Sequence, residues 1–290
     1  MIWQPIRGVI MKKEELKENI KLAAFDIDGT ILPYAQPEFS NNIELMFKKL
    51  EESNIKSALA TAREFVTIGK LMNKASNLDY FIGANGAFVY DCKHKDLIFE
   101  RTIKFEDFKI LYEFFNKYIT CEGFTIMDRN YGWYSPKMNI NTWFLSPHQA
   151  KMKPVDYDAV EKDHLHVITI TAKDIKSTND CAKKAKELIE KYNMDLEVNS
   201  QWATGVFVSP KGITKSHTLD WLAKYLKLDS KKNLIAFGDS SNDYEMIRDA
   251  AYGVTMEKAS EYLKAVANDV ALDPTSDGAY FKLKELDLIK

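Results

Sequence analysis

The readable pattern begins with Lys21-Leu22-Ala23-Ala24-Phe25, an apolar run that stops at Asp26 just before the turn signal Asp28-Gly29. A short apolar run bounded in this way predicts a buried strand. Ser40-Asn41-Asn42 then offers N-cap side chains ahead of Ile43, Met46, Phe47 and Leu50. Their spacing of three and four residues predicts one face of an amphipathic helix. Ser57-Ala58-Leu59-Ala60 repeats the strand pattern and ends at Thr61, a helix is expected over 66–74, and Tyr80-Phe81-Ile82-Gly83 reads as a third strand. Strands alternating with helices are the signature of a parallel, doubly wound α/β sheet.

After Asn85-Gly86 the rhythm changes. Phe88-Val89-Tyr90 and Leu97-Ile98-Phe99 flank a polar stretch and predict an antiparallel hairpin. Helices are expected over 106–118 and 179–192. Strands are expected at 124–127, 133–134, 166–170 and 196–198, and their alternation suits a sheet covered on one side. From Gly205 the parallel rhythm resumes. A helix is expected over 215–226, a strand at Leu234-Ile235-Ala236-Phe237 ending in Gly238-Asp239, and a helix over 244–250, with short strands at 253–255 and 270–272. These patterns predict a discontinuous α/β core of 1–86 plus 204–290, interrupted by an α+β insert at 87–203. No internal repeat is visible.

Composition narrows the possibilities. A net charge of -2 excludes a strongly basic protein. Duplex nucleic acid, whose backbone is bound by clustered Lys and Arg, is therefore not expected as the main partner, though a small basic pocket for one phosphate group is compatible with that charge. The three cysteines, Cys92, Cys121 and Cys181, form no CxxC pair. They read as buried or half-buried thiols of a cytoplasmic protein, not as a disulfide framework. No apolar run reaches the roughly 18 residues that span a bilayer, and the first twelve residues have no sustained apolar stretch of the kind a signal peptide needs. The charged segment 12–19 is expected to be helical or frayed.

The candidate chemistry lies at strand ends, where open α/β sheets bind ligands. Asp26 and Asp28 stand two apart at the end of the first strand. A calcium loop would want a Glu at its twelfth position, which is Pro37 here. Asp239 ends another apolar strand, and magnesium needs one or two carboxylates besides phosphate oxygens and water. Thr61 and Lys215 offer a hydroxyl and an ammonium of the kind that holds phosphoryl oxygens. His164 and His166, two apart, would share one face of an extended segment; with no third ligand evident they do not make a zinc site.

Together, Asp26-Ile27-Asp28-Gly29-Thr30, Thr61, Lys215 and Gly238-Asp239 with Asn242-Asp243 resemble the four motifs of the haloacid-dehalogenase (HAD) superfamily. The large insert after Asn85-Gly86, the run 207–215 and Asp277-Gly278 resemble its Cof-type subfamily, which carries a large α/β cap of the C2 type. The resemblance implies a Rossmann-like core, a cap at 87–203, and a magnesium-dependent phosphatase acting on a small phosphomonoester such as a sugar phosphate. By the same resemblance, Asp26 is the nucleophile that forms an aspartyl-phosphate, and Asp28 is the general acid and base. The resemblance further implies that Mg2+ is held by Asp26, Asp239 and the backbone carbonyl of Asp28, and that Thr61, Lys215, Asn242 and the backbone amides of Ile27 and Ala62 hold the phosphoryl oxygens. Asp243 and Ser240 support the site, Asp243 by orienting Lys215 or a metal-bound water. Arg129, Trp133 and Trp202 are candidates for substrate selection by the cap. Three positions depart from the pattern: Ala62 where Gly is usual, Ser240 where Asn is common, and Lys258 where Asn is usual. The alternatives are a phosphotransferase or mutase, which usually carries a smaller helical cap, and a non-catalytic sensor of a phosphorylated metabolite. The four intact motif residues Asp26, Asp28, Lys215 and Asp239 speak against the sensor.

Overall fold

The computed structural model describes residues 12–290, so the start of the chain, where no leader is expected, lies outside the described residues. Five strands come first: β1 (Leu22–Phe25), β2 (Lys56–Ala60), β3 (Tyr80–Gly83), β4 (Phe88–Asp91) and β5 (Asp96–Glu100). Six follow: β6 (Gly123–Met127), β7 (Gly132–Tyr134), β8 (Met152–Pro154), β9 (Ile168–Thr171), β10 (Leu196–Trp202) and β11 (Gly205–Pro210). The last three are β12 (Leu234–Gly238), β13 (Tyr252–Met256) and β14 (Asp269–Ala271). They form two sheets, ordered β14-β13-β12-β1-β2-β3-β4-β5 and β10-β11-β9-β6-β7-β8.

The first sheet is parallel from β14 to β3, and β4 joins β3 antiparallel. Every residue of β1, β3, β12 and β13 is buried, as expected of a sheet covered on both faces. Phe25 stacks on Phe237 at 5.0 Å and meets Phe47 edge-on at 6.1 Å. Phe47 comes from the predicted amphipathic helix, which spans Asn41–Glu52 and is capped by Ser40. Burying each of these rings contributes about 1.5–3 kcal/mol, so the floor beneath Asp26 and Asp239 is rigid aromatic packing.

The second sheet is antiparallel except for the β7–β8 pair. Phe124, Ile126, Ile168, Ile170, Val206 and Val208, at alternate positions, pack with Phe108, Leu111 and Phe115 of the helix Phe105–Phe115. Cys181, Ala182 and Ala185 of the helix Ile175–Lys191 complete that core. Trp133 belongs to it as well, 1% exposed, with its indole N–H donating to Asp128 at 2.6 Å. That position suits packing, not the ligand contact anticipated for it. Cys92 is half-buried and the other two cysteines are buried, all as free thiols. Among the described residues no helix is long and apolar enough to cross a membrane.

The chain divides into two compact units: Met1–Ala62, Lys70–Ile98 and Lys215–Lys290 in one, Arg63–Gly69 and Phe99–Thr214 in the other. The boundaries differ from the expected 86/87 and 203/204 for local reasons. β4 hydrogen-bonds to β3 and so stays with the parallel sheet, while β11 pairs with β9 and β10 in the second sheet. The expected helix over 66–74 is a short helix, Phe65–Ile68, followed by a 3-10 turn, Gly69–Lys74.

Candidate active site

Strand register decides which side chains meet. Phe25 pairs with Phe237 on one side and Leu59 on the other, so the parallel strands β1, β2 and β12 end at the same level. Asp26 continues the ladder by one bond, its N–H donating to the Phe237 carbonyl at 2.9 Å. The chain then turns back, the Ile27 carbonyl accepting from the N–H groups of Thr30, Ile31 and Leu32. This turn leaves Asp28 half-exposed while Asp26 and Ile27 stay buried. Thr61, 1% exposed, follows β2, and Ala62 is half-buried beside it.

Lys215 opens the helix Lys215–Tyr225 and is 1% exposed. Its ammonium donates to Asp26 Oδ1 at 2.6 Å and to Asp243 Oδ1 at 2.7 Å. The other Asp243 oxygen accepts from the backbone N–H groups of Asp239 and Ser240, each at 3.0 Å. Asp243 therefore orients Lys215 and clamps the turn that carries Asp239. Removing one partner from a buried pair of this kind costs about 3–5 kcal/mol, because a charge is left uncompensated. Asp239 itself accepts from Ser240 Oγ and Tyr34 OH at 3.1 Å and from Thr30 Oγ1 at 3.3 Å.

Carboxylate oxygens of Asp26, Asp239 and Asp243 lie within 4.8 Å of one another. Burial, then the charges of Asp243 and Asp239, push the Asp26 carboxyl well above its usual range, and Lys215 only partly opposes this. Burial and Asp243 raise Asp239 to about 6. Burial works against the Lys215 charge too, yet Asp243 and Asp26 outweigh it and keep the ammonium protonated. Three carboxylates face one ammonium, a formal deficit of two positive charges. A divalent cation would balance that charge, and oxygen-only donors suit a hard ion such as magnesium. Asp26 and Asp239 are the carboxylates that fit it, since Asp243 is 0% exposed and bound to the Lys215 ammonium and two backbone N–H groups.

Asn242 reaches the same strand ends by another route. Its Nδ2 donates to Asn85 Oδ1 at 3.0 Å, and the Asn85 N–H donates to the Thr61 carbonyl at 2.9 Å. The candidate phosphate groups Thr61 and Asn242 are thus joined through Asn85, a residue the motif spacing passed over. Tyr34 and Thr30 were also missed as partners of Asp239. Only the glycine at 29, which lets their loop fold back, hinted at them. Lys258 pairs with Asp273 at 2.6 Å and holds that carboxyl down at about 2. In the second unit, Arg129 is exposed with Glu100 at 3.9 Å. Trp202, also exposed, lies on Phe207 at 4.7 Å.

The sequence profile of haloacid dehalogenase-like hydrolases matches residues 23–283. A 5-amino-6-(5-phospho-D-ribitylamino)uracil phosphatase of Bacillus subtilis is 24% identical over 260 residues, 90% of this chain and 93% of the relative. A pyridoxal phosphate phosphatase of Escherichia coli is 24% identical over 268 residues, 89% of this chain and 95% of that one. The crystal structure of a haloacid dehalogenase-like hydrolase from Bacteroides thetaiotaomicron superposes with a TM-score of 0.78 at 21% identity, covering 92% of this chain and 99% of that one. That last likeness concerns the fold.

Proposed function

The chain belongs to the haloacid dehalogenase-like hydrolase family and is a phosphatase of that kind, and we propose that it hydrolyses a small phosphomonoester through an aspartyl-phosphate on Asp26. The observation that carries this reading is the buried Asp26–Lys215–Asp243 chain beside Asp239 at the carboxyl ends of β1 and β12. Lys215 occupies Asp26 Oδ1, which leaves Oδ2 as the attacking oxygen. That oxygen forms a bond to phosphorus as the ester P–O bond breaks. Asp28, half-exposed at the turn, gives its proton to the leaving alcohol. In the second half, Asp28 as a carboxylate takes a proton from water, the water oxygen bonds to phosphorus, and Asp26 leaves as a carboxylate. Lys215, Thr61 and Asn242 supply donors to the phosphoryl oxygens, with the backbone amides of Ile27 and Ala62 beside them. Mg2+ held by Asp26, Asp239 and the Asp28 carbonyl would supply the charge that lets an anionic nucleophile meet an anionic phosphoryl group.

The relatives named above are phosphatases of 5-amino-6-(5-phospho-D-ribitylamino)uracil and of pyridoxal phosphate, which supports a phosphorylated metabolite as the substrate class. Release of inorganic phosphate from an aryl phosphate and from a panel of sugar and cofactor monophosphates, in magnesium, tests the reading. Asp26→Asn keeps the shape of the side chain and removes its attacking charge, so turnover should fall at least about a thousandfold. A purified Asp26→Asn protein that turns over normally overturns the mechanism.

A further inference from the structure

Asn85 carries a buried donor that nothing among the described residues accepts. The residue is 2% exposed, and its Nδ2 is shielded from solvent with no hydrogen-bond partner among the described residues. Its other amide atom, Oδ1, accepts from Asn242. Buried polar groups are paired in the great majority of cases, so an orphan calls for an explanation, of which a bound water, ion or ligand is one kind. The surrounding turn is costly to build. Ala84, Asn85 and Gly86 are three consecutive residues at positive φ, 50°, 56° and 107°. The turn is held by the Asn85 N–H on the Thr61 carbonyl and by Thr218 Oγ1 donating to the Gly86 carbonyl at 2.7 Å. Thr218 lies on the helix that Lys215 opens. Glycine would satisfy the left-handed backbone at 85 more easily than asparagine, so the turn alone does not account for the carboxamide.

We propose that Asn85 belongs to the phosphoryl-binding site: its Oδ1 holds the Asn242 carboxamide in place, and its Nδ2 donates to an oxygen of the bound phosphoryl group. Phosphoryl oxygens only accept, so the surface that receives them has to offer unspent donors. Asn85 Nδ2 is such a donor, on a residue whose Oδ1 accepts from Asn242 and whose backbone N–H donates to the Thr61 carbonyl. The inference rests on the phosphatase reading, from which it takes the ligand.

Inorganic phosphate, titrated by calorimetry against the full chain in magnesium, is the probe. Asn85→Gly keeps the left-handed turn and should melt no lower than wild type, yet bind phosphate about tenfold more weakly, a loss of about 1.4 kcal/mol. Asn85→Asp is isosteric, accepts from Asn242 as before and repels an anion, so its loss should be larger. The losses in Asn85→Gly and Asn242→Ala should be less than additive when combined, because each disturbs the same amide pair. Phosphate binding within about twofold of wild type in folded Asn85→Gly overturns the proposal. If that variant does not fold, the same result in Asn85→Asp overturns it. The two readings fail separately: normal turnover in Asp26→Asn removes the nucleophile while phosphate binding still reports on Asn85, and unchanged binding in the Asn85 variants leaves Asp26 untouched.

Discussion

Gly29 answers two demands at once. Its φ of +90° is one that side chains disfavour, and a Cβ placed there would run into the Asp239 carboxylate and the Tyr34 hydroxyl. Gly29→Ala therefore should cost about 1–2 kcal/mol from the backbone alone, with a further loss as Asp239 is displaced. Denaturant melts should report the first effect, and a raised magnesium concentration for half-maximal phosphate release should report the second. An alanine variant unchanged in both would mean that Asp239 does not sit against this turn in solution. Asp26, Asp239 and Lys215 were legible because each ends an abrupt apolar run or opens a helix, which is a local signal. The contacts of Asp239 with Tyr34 and of Asn242 with Asn85 were not. They join segments 205 and 157 residues apart, and neither tyrosine nor asparagine marks a site by its type.

Elements were easiest to read where capping and periodicity agreed, as in Asn41–Glu52 behind Ser40. The helix Ile175–Lys191 starts earlier than its apolar spacing suggested because Asp174 caps it, accepting from the Ser177 N–H at 2.8 Å. The expected core segment 204–290 takes in β11, although its alternating Val206 and Val208 are the pattern of a sheet covered on one side. His164 and His166 do reach one side, as their spacing predicts, and both contact Glu100 Oε1, at 2.8 and 2.7 Å. They precede β9 instead of lying on it. His166 is fully buried, with its other ring nitrogen 3.2 Å from Glu64. Carboxyl groups face both ring nitrogens, and the ionised Glu100 favours the imidazolium. Burial opposes this, but Glu100 and Glu64 win and raise the His166 pKa. Burial likewise raises Glu64 to about 7, with His166 opposing and Asp128 adding to it. Burial pulls Glu100 up as well, but His166 and His164 prevail and lower it. His164 also has Glu161 at 3.8 Å, and Arg129 lies 3.9 Å from Glu100. The signs then follow. Raised His166 and Glu64 keep protons that the unfolded chain releases, so their contribution is present at low pH and is lost as pH rises, from about 4.5 to 7 for Glu64 and above 6.5 for His166. Glu100 acts oppositely, below its ordinary 4.5. His166→Gln should accordingly lower the melting temperature most near pH 6 and progressively less towards pH 9. A difference that does not vary with pH would mean that His166 is neutral in the folded protein.

At the scale of the whole molecule, the carboxylate cluster makes a prediction that needs no substrate. Without a cation, Asp26, Asp239 and Asp243 repel one another, and the folded chain carries that cost in the unit that contains them. Asp239, raised to about 6, holds a proton in the folded state that an unfolded aspartate would release above its ordinary 3.8. Folding stability of the metal-free protein should therefore fall as pH rises from 3.8 to about 6, the native state binding more protons over that range. A divalent cation replaces those protons as counter-charge, and binding only to the folded state stabilises by about 2.7 kcal/mol at a hundredfold excess over its dissociation constant. Melts in magnesium and in chelator should thus separate widely at pH 7.5 and converge at pH 5. Asp239→Asn removes one of the repelling charges and one of the ligands. It should melt higher than wild type in chelator and gain little from magnesium, a reversal of order that simple damage to the fold cannot produce. If the two units melt separately, only the transition of the unit holding β1 and β12 should move. An Asp239→Asn protein that loses stability in chelator and still gains as much from magnesium as wild type would show that the cation is held elsewhere.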